Sequence, residues 1–269
     1  MDKKILFLIL PILSGICWGT GGVFVRVLHI FGFTSVSILS TRVFGATLIL
    51  FIILLFFNRE AFKIKLKDLW LFLGCGLIGT LMLNLCYNEA NFASSLSLAA
   101  LLLSLSPIFA LIFSAIFFKE KLTPKKIGCL IVALFGCLLV SGFLESSGYQ
   151  WSFHALIFGL ASAVFWATYS IFSKMASNKC YSTLTIIFYS FLLIAICLAP
   201  FTQWGLFATF LNSLPIDGLL FAIGHSIVVC ILPYFLFSAA LSKIDSGTAS
   251  ILNSGAEPLS ATIFGAIFF

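Results

Sequence analysis

Long apolar runs alternate with short polar clusters along the chain, and the runs carry the first structural message. A helix needs about 20 apolar residues to cross a bilayer. Runs of that scale lie near residues 5–28, 35–57, 68–88, 93–118, 126–143, 154–174, 182–200, 217–240 and 247–269, which predicts about nine spans. Open sheets are excluded at this depth, because their edge amides and carbonyls would go unpaired in lipid.

Composition strengthens that reading. The 269 residues are 61% hydrophobic and only 9% charged. An ordinary soluble domain is about a quarter charged, so lipid must be the solvent for most of this surface. The 32 Phe, against 6 Tyr and 5 Trp, suit a hydrocarbon surround. The net charge of +6 does not point to nucleic acid, because it sits in short clusters between spans and not on a broad basic face.

Those clusters also orient the bundle. With the N-terminus cytoplasmic, one side receives Lys3, Lys4, Arg59, Lys63, Lys65, Lys67, Lys119, Lys121, Lys125, Lys126, Lys174, Lys179 and Lys243. The other side receives Arg26, while Arg42 lies within the second span. This split follows the positive-inside rule and fits a cytoplasmic (plasma) membrane of bacterial type. The start imitates a signal peptide, but its apolar stretch continues to Leu28 without a small-residue cleavage site, so a retained first helix is expected. The eight Cys show no CxxC or Cys/His ligand spacing and read as small apolar packing residues. No metal and no cofactor are expected.

Two segment pairs repeat internally. The stretch Ser14-Gly-Ile-Cys-Trp-Gly-Thr-Gly-Gly-Val-Phe-Val-Arg26 aligns with Ser162-Ala-Val-Phe-Trp-Ala-Thr-Tyr-Ser-Ile-Phe-Ser-Lys174 at an offset of 148. Pro107-Ile-Phe-Ala-Leu-Ile-Phe-Ser-Ala-Ile-Phe-Phe118 aligns with Pro258-Leu-Ser-Ala-Thr-Ile-Phe-Gly-Ala-Ile-Phe-Phe269 at an offset of 151. The first span therefore matches the sixth and the fourth matches the ninth. Five spans per repeat is an odd number, so the halves must run in opposite orientations, as in alternating-access transporters. The expected organisation is a first repeat over 1–143 and a second over 154–269, with a tenth span expected after Phe269.

With these residues in view, the chain resembles the drug/metabolite transporter superfamily, with two EamA-type domains. The resemblance rests on Trp18-Gly19 with Phe24, Thr41-Arg42-Val43-Phe44, and Tyr87 and Ala90 leading into Ala93–Leu103. It continues through Ser106-Pro107 to Lys119-Glu120-Lys121-Leu122-Thr123, then Trp166 and Glu257-Pro258. It implies an all-α polytopic membrane protein, an inverted five-plus-five helix repeat, a central cavity and transport of small organic solutes, often export. Two departures stand out: the second repeat lacks its loop and fifth helix here, and Glu89 stands where the family has an apolar residue.

Candidate functional residues are the ionisable and aromatic groups inside spans, where a charge costs about 2.5–3.5 kcal/mol on insertion scales. Glu257 sits mid-span on a face shared with Ser250, Asn253 and Ala261. It is expected to couple protons or bind a substrate amine, or else to pair structurally with Arg42 or a neighbouring helix. Pro258 and Pro107 are expected as kinks or hinges, with Gly79 and Gly224 as flexible points. His225 is either a packed, hydrogen-bonded imidazole or a proton shuttle. Arg42 either snorkels outward, pairs with an acid, or binds substrate. Thr80, Asn84, Tyr87 and Asn88 form a polar stripe. Trp18 and Trp166 occupy equivalent repeat positions and either face the cavity or pack, and Tyr169 and Tyr234 are further cavity candidates. Gly15, Gly19 and Gly22 share a face suited to close helix packing.

The function expected is a secondary transporter moving a small organic metabolite (an amino acid, amine or drug-like solute), acting as an exporter by alternating access. Its expected partners are that solute, membrane lipid, protons as coupling ion, and a second copy of the chain in a homodimer. Enzyme motifs such as HExxH, GxSxG, a Walker loop or paired Asp are absent from the sequence. No charged pore ring marks a channel. A scaffold or a membrane-embedded enzyme is the alternative.

Overall fold

The computed structural model describes residues 3–93, 96–140 and 152–268. The expected end of the fifth span at 141–143, and Phe269, lie outside these residues. Within them the protein is helical, with no strand. Nine rods cross the bundle: α1 Ile5–Ile30, α2 Ser35–Phe57, α3 Leu66–Ala93, α4 Leu98–Phe118, α5 Pro124–Val140, α6 Phe153–Asn178, α7 Thr183–Phe201, α8 Pro215–Leu241 and α9 Ser246–Phe268. Seven are long and apolar enough to cross a membrane by length and composition. The other two are α5, at 17 residues, and α9, which carries Asn253, Ser254, Glu257 and Ser260.

Local chemistry sets several ends. Thr34, Ser152 and Ser182 cap α2, α6 and α7, each accepting the backbone N–H three residues on, at 3.3, 3.5 and 3.1 Å. Asp245 does the same for α9, taking the Thr248 N–H at 2.8 Å and its hydroxyl at 2.9 Å. α4 ends on Lys119 in the left-handed region, at φ 54°.

Packing follows an exchange symmetry. α1 lies against α8 and α9 of the second repeat, and α6 lies against α3 and α4 of the first. α2 packs on α7, and α4 on α9. Swapping the repeats maps this pattern onto itself, as an inverted pair requires. Small residues make the contacts possible. A methyl at Gly15 would come within 2.6 Å of the Asn253 carbonyl oxygen, and one at Gly19 within 2.7 Å of the Ala261 nitrogen. Gly22 has nothing within 4 Å, so it is not part of the seam its spacing implied. Away from the seams, large apolar side chains such as Phe57, Ile131, Val132 and Ile196 are exposed, as lipid-facing residues should be.

Three backbone features depart from the predicted plain rods. α1 breaks at Thr20 and α4 at Ser104–Leu105. The third helix of each repeat widens into π-helical turns, over Gly74–Leu81 in α3 and Ser226–Ile231 in α8. A short helix, Trp204–Ser213, joins α7 to α8. Pro107 starts the second part of α4 and does not bend its interior, and α9 runs unbroken through Pro258.

Gly79 is a point of close helix contact. A Cβ there would sit 2.7 Å from the Tyr169 Cβ and 2.8 Å from its Cα. Replacing Gly79 with Ala should therefore push α3 off α6, at about 1–3 kcal/mol for overpacking. Gly22→Ala, with open space around it, should be neutral or gain up to about 1 kcal/mol of helix propensity. Melting of the two variants in detergent tests the contrast, and equal melting temperatures would contradict it.

Ion pairs tie the lysine-rich loops at one end of the bundle. Lys174 Nζ lies 2.6 Å from Glu120 Oε1, with both side chains about 14% exposed, and also donates to the Ile244 carbonyl at 3.0 Å. Lys126 reaches Asp245 at 2.9 Å, and Lys179 pairs with Asp68, which also accepts from the Tyr181 hydroxyl at 2.8 Å. All four loops involved are those the charge pattern assigns to one side.

Asp245 gives this end an acid-sensitive contact. Burial alone would raise its pKa, but hydrogen bonds from Lys126 and from the Thr248 amide and hydroxyl outweigh it and hold the carboxyl below its ordinary value. A depressed folded pKa contributes stability above the unfolded value, about 4. That contribution is lost as pH falls through the lower folded value. Asp245→Asn should remove this acid-side loss from a melting-temperature profile taken below about pH 4. An unchanged profile would contradict it.

Candidate functional site

At the bundle centre the two repeats meet through aromatic rings. Trp18 of α1 and Trp166 of α6, equivalent in the repeat, contact edge to face at 4.9 Å. Tyr234 of α8 packs edge-on against Trp18 at 5.1 Å and against Tyr169 at 5.1 Å. Tyr169 stacks on Trp166 at 5.4 Å, and Phe237 lies 5.1 Å from Trp166. Edge-to-face geometry suits the quadrupoles of these rings. These rings join the two repeats at one seam.

Tyr169 is a satisfied core residue, 1% exposed, with its hydroxyl 2.6 Å from Ser238 Oγ. Ser173 donates to the same Ser238 at 3.1 Å. Ser14 Oγ of α1 donates to the Pro233 carbonyl at 2.9 Å, binding the first helix to α8 just before Tyr234.

Glu257 lies partly buried on α9 where that helix meets α1. Among the described residues it makes no ion pair, and Arg42 is directed elsewhere. Tyr87 and Tyr234 both stand within its electrostatic reach. Ser246, Ser250 and Asn253 precede it on α9, all buried, with Ser246 Oγ, Ser250 Oγ and Asn253 Oδ1 lacking a hydrogen-bond partner. Buried polar atoms of this kind mark room for water or a ligand.

Arg42 donates from Nη2 to Asn84 Oδ1 at 3.0 Å, and Asn84 in turn donates to the Thr80 carbonyl at 2.8 Å. This joins α2 to the polar stripe of α3. His225 is 2% exposed, and its ring stacks on Phe24 at 5.1 Å and 7°. Arg42 and His225 line one small cavity together with Thr41, Leu28, Phe207, Phe210, Phe221 and Ala222. Glu89 lies apart and exposed, 3.8 Å from His154. A groove of about 270 Å³ between α5 and α9 is lined by Lys126, Cys129 and Ile251 among others.

The structure therefore brings Trp18, Trp166, Tyr169 and Tyr234 into one cluster, packs the Glu257 backbone against Gly15 and Gly19 on either side of Trp18, joins Arg42 to Asn84, and sets Arg42 and His225 on one cavity. Sequence reasoning missed Phe237 and the short-helix residues Phe207 and Phe210. Their apolar side chains give no signal apart from the fold. The groups that could hold a metal are absent as a cluster among the described residues.

Comparison with known proteins agrees with this architecture. A solved crystal structure covering 97% of this chain and 87% of its own superposes with a TM-score of 0.75 at 17% identity, a likeness of fold. The pseudopaline exporter CntI of Pseudomonas aeruginosa is 34% identical over 167 residues, 62% of this chain and 55% of that protein. An uncharacterized transporter of Archaeoglobus fulgidus is 34% identical over 143 residues, 52% of this chain and 48% of that protein. The chain thus spans about half the length of the curated relatives it matches. The model of the EamA-like transporter family matches twice, over residues 4–142 and 154–269. An all-helical membrane bundle whose halves pack by exchange, matched in both halves by one family model, belongs to the EamA-like transporter family.

Proposed function

We propose that this membrane transporter is a secondary carrier that exports a small organic metabolite by alternating access, with the units 1–143 and 154–269 rocking about the aromatic centre. The observation that carries the reading is the meeting of Trp18 and Trp166, equivalent residues of opposed repeats, beside a carboxylate without an ion-pair partner among the described residues. Rings at the crossing point form a plug that a solute displaces and then stacks against. Glu257 binds the solute's amine and takes up a proton in its absence. The stripe Ser246–Ser250–Asn253 leads from the lysine-rich end toward it, a path for water-borne protons.

The solute class is an amino acid, an amine or a drug-like cation, favoured by one acid among aromatic rings. Export is supported by the relative named as an exporter. The lysine-rich end faces the cytoplasm, with the N-terminus on that side, in a bacterial-type cytoplasmic membrane. A homodimer would use the lipid-facing apolar surface. The test is flux of a labelled metabolite panel in proteoliposomes. Saturable flux of one class establishes the carrier and names its solute, and no flux from folded protein across the panel counts against the reading.

A further inference from the structure

We propose that Arg42 and His225 form a binding site for a compact monovalent anion, supplied by the carboxylate of a carried solute or by a free ion such as chloride. It rests on the carrier reading above only for the first of these sources.

Arg42 cannot shed its charge. A cation withdrawn from water costs several kcal/mol unless an anion or good acceptors replace the lost hydration. Among the described residues no carboxylate lies within ion-pairing distance of Arg42. Its hydrogen bond goes to the neutral Asn84 oxygen, and its Nε is buried without a partner. His225 is 2% exposed, and its Nε2 is likewise buried without a partner. Two nitrogens of this kind in one cavity signal a missing partner, and the Arg42 Nε, always a donor, needs an acceptor there.

The cavity must widen to admit that acceptor. It holds about 10 Å³, close to the room one water needs. The Thr41 hydroxyl is already donated to the Ile38 carbonyl at 3.1 Å, and Leu28, Phe207, Phe210 and Phe221 make the remaining wall apolar. A low-dielectric wall strengthens the attraction between a cation and an anion inside it.

Position gives the site a role in the cycle. Leu28, Thr41 and Arg42 come from the first repeat; Phe207, Phe210, Phe221 and His225 come from the second. His225 is the last residue before the π-helical turns Ser226–Ile231. A relative movement of the repeats therefore changes the width of the site, admitting a carboxylate when it opens.

The experiment measures melting temperature and tryptophan fluorescence of the detergent-purified full chain, with ionic strength held by a bulky sulfonate salt. The probes are chloride, phenylacetate, phenylalanine and phenethylamine. Saturable stabilisation by phenylacetate or phenylalanine is expected in the wild type, weakened about tenfold or more in Arg42→Gln and in His225→Gln. The response to phenethylamine should be the same in both variants as in the wild type. A saturable response to chloride alone, lost in the same variants, assigns the site to a free ion. Arg59→Gln, at an exposed arginine, controls for bulk salt effects. If Arg42→Gln does not fold, His225→Gln carries the comparison. No saturable anion response in the wild type, or the same response in both site variants, overturns the proposal and leaves water as the occupant. Absent flux with an intact anion response would count against the carrier reading and leave this site standing.

Discussion

Glu257→Gln is expected to abolish uphill export driven by a proton gradient while leaving solute exchange at equal pH measurable. The glutamine keeps the shape and polarity of a protonated glutamic acid but cannot release a proton. Glu257 sits inside a membrane helix without an ion-pair partner among the described residues, so its charge state is free to follow proton and solute occupancy. Loss of a positioned proton-transfer group costs roughly 10²-fold or more in rate. The measurement is accumulation of labelled solute in proteoliposomes with an imposed pH gradient, beside counterflow without one. Retained uphill transport in the variant would remove Glu257 from coupling. Loss of both modes would make it a binding group alone.

Lys174→Met should be the most destabilising single change at the lysine-rich end. It removes the partner of Glu120, whose Oε1 is 2.6 Å away and whose Oε2 is buried without a hydrogen bond. It also removes the donor to the Ile244 carbonyl and the cation over the Phe118 ring, 5.3 Å from its centroid. Breaking a buried pair from one side costs about 3–5 kcal/mol, because a charge is left alone in a poor solvent. For a chain of this size that lowers the melting temperature on the order of 10 °C. Removing both charges, as Glu120→Gln with Lys174→Met, should recover much of the loss. A double variant as unstable as the single one would show that packing, and not the stranded carboxylate, sets the cost. In the carrier reading the same pair holds the inner ends of α4, α6 and α9 together, so the double variant should also favour the inward-open state.

Seven of the nine expected spans were legible because burial in lipid is a bulk property: 20 apolar residues outweigh any local preference, and lysine clusters punctuate them. The repeat was legible through Trp18, Trp166, Pro107 and Pro258, landmarks rare enough to align. The finer backbone was not. Nothing in Gly74–Leu81 or Ser226–Ile231 distinguishes a π-helical turn from an α-helical one by composition. The widening goes with tertiary contact, such as a Gly76 whose added methyl would lie 2.5 Å from the Ser190 carbonyl oxygen. Pro258 shows the reverse case, a helix breaker held inside a continuous α9. Arg42 illustrates the limit for the site. Its charge marked it as a candidate, yet the choice between Glu257, Asn84 and solvent depends on which helices touch, and the structure selects Asn84.

The paired π-helical turns bear on descent. They fall in the third helix of each half, about 150 residues apart, the same spacing that aligns the tryptophans and the prolines. A π-helical turn is a local irregularity, and its recurrence at matching positions of the two halves is what two copies of one ancestral unit would share.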